Sequence, residues 1–224
     1  MPSRKKPGRS KAKRTRRRGA SRPLGPRRSS SSKTKASGFE QALTDLTAFF
    51  EAVGAPAAII GGIAVIAWGF GRSTLDVDAA IAVPPSRARA LLKKIAAAGF
   101  LARIPDAGAF AEKNLVLLLR HRKSGIDVDL SLAQLDFEHE ALTHAQSRQF
   151  GMVTIQVPRP TDLVVYKMIA SRPRDLQDVE ELLARGLAID PNRVERLLRE
   201  FDALLELDRA GEWLRLLDRR QAGE

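Results

Sequence analysis

The sequence predicts an α/β protein: a mixed sheet of about five strands flanked by helices, followed by a C-terminal helical segment and preceded by a disordered basic tail. Three observations carry that reading. Between residues 57 and 157, apolar runs such as "NLVLLLR", "IDVDLSL" and "MVTIQV" exchange with stretches of helical periodicity, the pattern of strands alternating with helices. Beyond residue 159 only helical spacing remains. The first 38 residues hold fifteen Lys or Arg and no Asp or Glu, so the whole-chain charge of +12 leaves −3 on residues 39–224. The expected divisions are a tail over 1–37, an α/β core over 38–158 and a helical segment over 159–224.

In chain order, residues 1–37 combine like charges with Pro, Gly and Ser and lack apolar periodicity, so they cannot bury enough surface to fold alone. Phe39 to Val53 spaces Leu43, Leu46, Phe49, Phe50 and Val53 at three and four, one apolar face of a helix, which Gly54 and Pro56 stop. "AAII" is a short buried strand. Gly61 and Gly62 turn the backbone into a short apolar helix, Arg72, Ser73 and Thr74 form a second turn, and a strand then presents Asp76 and Asp78. Pro84 and Pro85 lead into a helix that ends at Gly99. A strand is expected over Phe100 to Ile104 and a loop over Pro105 to Gly108. "NLVLLLR", the turn "HRKSG" and "IDVDLSL" make a hairpin, with Ile126, Val128 and Leu130 alternating against Asp127, Asp129 and Ser131.

A helix is expected from Asp136 to about Arg148, then the strand "MVTIQV". Thr161 or Asp162 caps a helix with Lys167 near its middle. Arg172, Pro173 and Arg174 form a break, Pro173 opens the next helix and Gly186 ends it. Two further helices follow, about Pro191 to Leu207 and Ala210 to Arg219, the latter carrying Trp213. There is no internal repeat.

At 224 residues with 44% hydrophobic composition, the chain can bury a real core. It has no cysteine, which excludes disulfides and thiolate zinc sites and fits a reducing, cytoplasmic compartment. The uncharged run from Ala52 to Gly71 has the length of a membrane span, but twelve of its twenty residues are Gly, Ala or Pro. Only eight large apolar side chains remain, too few for a bilayer, and strand, turn and helix place the glycines usefully. No membrane partner is expected. The tail can bind nucleic-acid phosphates by counterion release, but it has no aromatic residue to stack on bases, so that binding is nonspecific.

The candidates for chemistry narrow quickly. His139 and His144 are five apart, not the four that puts two imidazoles on one helix face for zinc; His121 is isolated. No Ser-His-Asp arrangement has sequence support, and the Walker loop and dinucleotide fingerprint are both absent. Asp76 and Asp78, two apart on a strand, point to one face roughly 7 Å apart along the chain. Like charges aimed together call for a cation, and a hard divalent ion such as magnesium takes oxygen ligands. The hairpin at 126–132 lies within reach, because neighbouring strands run about 4.8 Å apart, so Asp127 or Asp129 can supply the third carboxylate of a two-metal site. The Gly61–Gly62 turn lets the backbone approach a ligand as no residue with a Cβ does, and free N–H groups where a turn opens a helix suit phosphate.

These motifs, "GG", thirteen residues, then "DVD", with "RST" just before and "DLVVYKMIASRPRDLQDVEELL" later, resemble the nucleotidyltransferase superfamily of the DNA polymerase β type. The likeness is closest to minimal bacterial members that include the AbiEii-like toxin nucleotidyltransferases, and it spans about residues 40–190. The resemblance implies that Gly61, Gly62, Arg72, Thr74, Lys167, Arg174 and Asp175 hold a nucleoside triphosphate such as ATP. It implies that Asp76, Asp78 and Asp129 bind two Mg2+ ions, with Asp127 as the alternative third ligand. The implied reaction moves a nucleoside monophosphate to a hydroxyl on RNA or protein, in a setting of the toxin-antitoxin kind with a cognate antitoxin as partner. Two other readings are an inactive protein of the same fold, serving as partner or antidote, and a nucleic-acid binder run by the tail.

Overall fold

The computed structural model describes residues 30–222, and the tail expected over 1–37 lies mostly outside them. Helix α1 (Ser30–Val53) begins ahead of the expected Phe39. Its apolar face, Phe39, Leu43, Leu46 and Phe49, is buried, and a helix once nucleated propagates cheaply through the proline-free "SSSKTKA" segment of residues 30–36.

Strands β1 (Ala57–Ile60), β2 (Asp76–Ile81), β3 (Phe100–Ala102), β4 (Val116–His121) and β5 (Asp127–Leu132) form one mixed sheet in the order β1-β2-β5-β4-β3. Only β2 and β5 run parallel; the other pairings are antiparallel. Alternation sorts the two faces. Val77, Ala79 and Ile81 of β2, Val128, Leu130 and Leu132 of β5, and Leu117 and Leu119 of β4 are buried in the main core, whereas Asp76, Asp78, Asp127, Asp129, Leu118 and Arg120 take the opposite face. A one-residue slip of β2 or β5 would drive carboxylates into that core, which fixes the register.

Helices α2 (Gly61–Ala67) and α3 (Ala88–Ala97) connect the early strands. Helix α4 (Ala107–Asn114) begins inside the loop expected over 105–108. Gly108 lies within that helix, where a Cβ would stand 2.8 Å from Arg89 Cγ, so glycine here permits close packing on α3 rather than marking a loop. Helix α5 (Asp136–Thr143) stops short of the expected Arg148, and Gln146–Phe150 forms a strand, β6, that pairs with β7 (Val153–Val157) in a separate hairpin. The polar "QSRQF" run carries no period-two apolar signal, so pairing through the Gly151–Met152 turn decided its state.

The remaining helices are α6 (Pro160–Ala170), α7 (Pro173–Ala184), α8 (Pro191–Leu205) and α9 (Arg209–Ala222). Thr161 and Asp162 sit inside α6 rather than capping it: Pro160 takes the first turn, and Asp162 is fully buried against Arg159 at 2.6 Å. α8 buries Val194, Leu197, Leu198 and Phe201 at helical spacing, and Asp190 accepts from the Arg193 N–H at 3.1 Å as a true N-cap. Asp202 then accepts from the N–H groups of Arg209 and Ala210 at 2.7 and 2.8 Å, fixing the start of α9. No described helix is long and apolar enough to cross a membrane.

The fold does assemble one Ser-His-Asp string that sequence reading did not anticipate. Buried His121 lies 2.7 Å from Ser124 Oγ and 3.0 Å from Asp45. The Ser124 N–H also donates to His121 Nδ1 at 3.3 Å, so the string braces the β4–β5 turn against α1.

Candidate active site

The site forms where β1 delivers its last residue opposite Asp78, with Ile60 as that aspartate's ladder partner. The chain then turns at Gly61, whose φ of 63° lies in the left-handed region. A Cβ on Gly61 would stand 2.0 Å from Asp78 Oδ2, and one on Gly62 would stand 3.0 Å from Thr74 Oγ1 and 3.1 Å from Arg72 Cζ. The doubled glycine is therefore seated between the Asp78 carboxylate and the 72–74 turn. Gly61→Ala is expected to cost about 1–2 kcal/mol for the left-handed conformation, and more because the new methyl displaces Asp78. Chemical denaturation checks this: an unchanged midpoint would show that the turn tolerates a side chain.

In the parallel β2–β5 ladder Asp78 pairs with Asp129 and Asp76 with Asp127. Register partners and residues two apart share a face, so four carboxylates project together from the open side of the sheet. Thr74 Oγ1 donates to Asp76 Oδ1 at 3.0 Å and orients it. Burial, followed by the charges of Asp76 and Asp129, raises the pKa of Asp78 above the usual carboxylate range. Burial also raises that of Asp129, opposed by Arg103 and assisted by Asp76 and Asp127. Asp127 goes the other way: a hydrogen bond from Arg120 at 2.6 Å, with help from Arg103, holds its pKa below the ordinary value.

Lys167 and Asp175 lie to one side in a buried ion-pair network. Lys167 Nζ stands 2.9 Å from Asp175 Oδ1 and 2.8 Å from Asp178 Oδ2. Asp178 also pairs with Arg72, and Arg172 Nε donates to Asp175 Oδ2 at 2.6 Å. Burial pushes the Asp175 carboxyl up, but the hydrogen bonds from Arg172 and Lys167 outweigh it and hold the pKa low. Arg174 donates to the Ser73 carbonyl, tying the start of α7 to the 72–74 turn.

The structure thus brings Gly61, Gly62, Arg72, Thr74, Asp76, Asp78 and Asp129 into one contiguous site. Lys167 is taken up by two carboxylates, and Arg174 by a backbone carbonyl. Sequence reading missed Asp178, although its spacing of three from Asp175 puts both on one face of α7. It also missed Arg172, which acts on Asp78 and Asp76 through charge, and Arg103, whose approach to Asp129 across the intervening β4 left no sequence signal.

Among the described residues no three His, Asp or Glu side chains close into a preformed metal cage. Asp76 and Asp78, two apart on β2 and so on one face, nevertheless offer carboxylate oxygens to one cation, with Thr74 orienting Asp76. As the side chains stand, Asp129 does not join that pair, because Arg103 holds it.

The model of a family described as "Nucleotidyltransferase of unknown function (DUF6036)" matches residues 41–215. An antigenic nucleotidyltransferase-like protein from Paracoccidioides brasiliensis superposes with a TM-score of 0.50 at 14% identity, covering 76% of this chain and 89% of that one. The antibiotic-resistance factor ANT(2'')-Ia gives a TM-score of 0.50 at 15% identity, covering 78% of this chain and 96% of that one. At these identities the likeness is one of fold. No curated protein matches the chain.

Proposed function

The chain belongs to this nucleotidyltransferase family, and we propose that it moves a nucleoside monophosphate from a nucleoside triphosphate to a hydroxyl acceptor, with Asp76, Asp78 and Asp129 as the catalytic carboxylates. The observation that carries the reading is the Asp78–Asp129 register beside a glycine turn too tight for any Cβ.

In this reading the triphosphate lies against the Gly61–Gly62 backbone, with Thr74 keeping Asp76 in place. Asp76 and Asp78 would hold Mg2+, which when bound supplies charge to offset that developing on the pyrophosphate leaving group. The acceptor oxygen forms a bond to the α-phosphorus as the bond to the β-phosphate oxygen breaks. Asp129, the ladder partner of Asp78, would hold a second Mg2+ that, when bound, lowers the pKa of the acceptor hydroxyl, whose proton passes to water. Arg72 and Arg174 keep the 72–74 turn fixed under the triphosphate. A hydroxyl on RNA or on a protein is the acceptor class, and the resemblance to AbiEii-like toxins supports a toxin-antitoxin setting with a cognate partner.

The test is pyrophosphate release from each of the four ribonucleoside triphosphates with Mg2+ and pooled RNA or protein acceptors. Release by the wild type, lost in Asp76→Asn and Asp129→Asn, is expected; release that survives both substitutions would contradict the site. The hold of Arg103 on Asp129 favours a second reading, a nucleotide-binding partner protein without transfer. Triphosphate binding with no pyrophosphate under any condition would select it.

A further inference from the structure

The carboxylate cluster carries its own cations along one border. Arg103 extends β3 by one residue, its N–H donating to the Leu118 carbonyl at 2.9 Å, and Leu118 is the ladder partner of Asp129. Arg103 therefore stands on the carboxylate face of the sheet. Its side chain crosses Leu118 to donate to Asp129 through Nη2, and to Asp127 through Nη1 at 3.2 Å. Asp127 already has a partner of its own: Arg120, directly across the ladder, grips both of its oxygens at 2.6 and 3.1 Å. Among the described residues, the contact that Arg103 alone provides is the one to Asp129. At 26% exposure its side chain is partly shielded from water, where such a pair is stronger than on an open surface. On the far border, Lys167 and Arg172 act on Asp78 and leave Asp129 to Arg103.

Resting on the functional reading above, we propose that Arg103 is a built-in counter-cation that competes with the second divalent ion for Asp129. The resting protein takes one ion, at Asp76 and Asp78. The second enters only as the guanidinium leaves, because both need the same carboxylate. Arg103 is thereby a positioning residue that couples metal loading of the third carboxylate to a side-chain swing.

Mn2+ titration of the full chain followed by electron paramagnetic resonance tests this without turnover. Wild type is expected to bind one Mn2+ well and a second weakly. Arg103→Gln should tighten the second site about tenfold, the equivalent of one charge-assisted hydrogen bond removed from the competition, and adding Asp129→Asn should abolish it. Arg103→Lys keeps the charge but loses the two-pronged grip; it should fall between, and it supplies the test if the Gln variant does not fold. Two equally tight ions in the wild type, or a second site unchanged in the Arg103 variants, would overturn the proposal and leave the proposed function standing. No Mn2+ bound to any variant would overturn both.

Discussion

Asp78→Asn is expected to abolish nucleotidyl transfer, by roughly 10³-fold or more, the scale of losing a preorganised charged group aimed at the transition state. The same substitution should leave the metal-free protein as stable as the wild type or more so, because Asp78 is held among like charges by its register with Asp129 and its spacing from Asp76. Burial and those neighbours raise its folded-state pKa above the ordinary carboxylate value of 3.8. The folded protein then binds more protons than the unfolded chain between those two values, so this group makes stability fall as pH rises through that window. The penalty is present above that window. Mg2+ should therefore stabilise the wild type more at pH 7 than near pH 4, and Asp78→Asn should flatten that difference. Thermal melts with and without Mg2+ read both effects; a variant that transfers at wild-type rate, or that melts far lower, would remove Asp78 from the centre of the account.

The largest loss of stability is expected from Lys167→Met. Lys167 is 3% exposed, with Asp175 at 1% and Asp178 at 4%, and its ammonium lies within hydrogen-bond distance of both carboxylates. Removing one partner of a buried pair costs about 3–5 kcal/mol because the remaining charge is left uncompensated. That is a large share of a typical margin of about 5–15 kcal/mol. The double variant Lys167→Met with Asp178→Asn should recover part of the loss, since it leaves fewer stranded charges. Asp175 adds a pH signature: its depressed pKa contributes stability above the ordinary value of 3.8 that is lost as pH falls through the lower folded value. Urea denaturation of the single and double variants checks the ledger, and a Lys167→Met protein as stable as wild type would show the network to be dispensable.

The sheet was legible because its strands sort by period two. β2 and β5 each carry Asp-x-Asp on one face and Val, Ala, Leu or Ile on the other, and that alternation alone places four carboxylates on the open side. The helical C-terminal segment was legible for the matching reason: α8 repeats Val194, Leu197, Leu198 and Phe201 at one face. β6 was not, since "QSRQF" has no face to bury until β7 pairs with it. α4 was hidden by Gly108, a residue that reads as a loop unless the neighbouring Arg89 is known. In the site, Asp76, Asp78 and the glycines stand out by spacing and the resemblance adds Asp129, Arg72, Lys167 and Arg174, but which cation answers which carboxylate could not be read. Arg103 meets Asp129 from 26 residues away and Arg72 meets Asp178 from 106, contacts that exist only once the sheet and α7 are assembled.

The central claim, transfer of a nucleoside monophosphate at the Asp76, Asp78 and Asp129 face, is tested most directly by offering the protein the same triphosphate labelled at the α- or the γ-phosphorus, with Mg2+ and its acceptor pool. The account predicts that the α-label passes to the acceptor and the γ-label leaves as pyrophosphate, both vanishing in Asp78→Asn. Passage of the γ-label to the acceptor, or α-label transfer undiminished by that substitution, would contradict it.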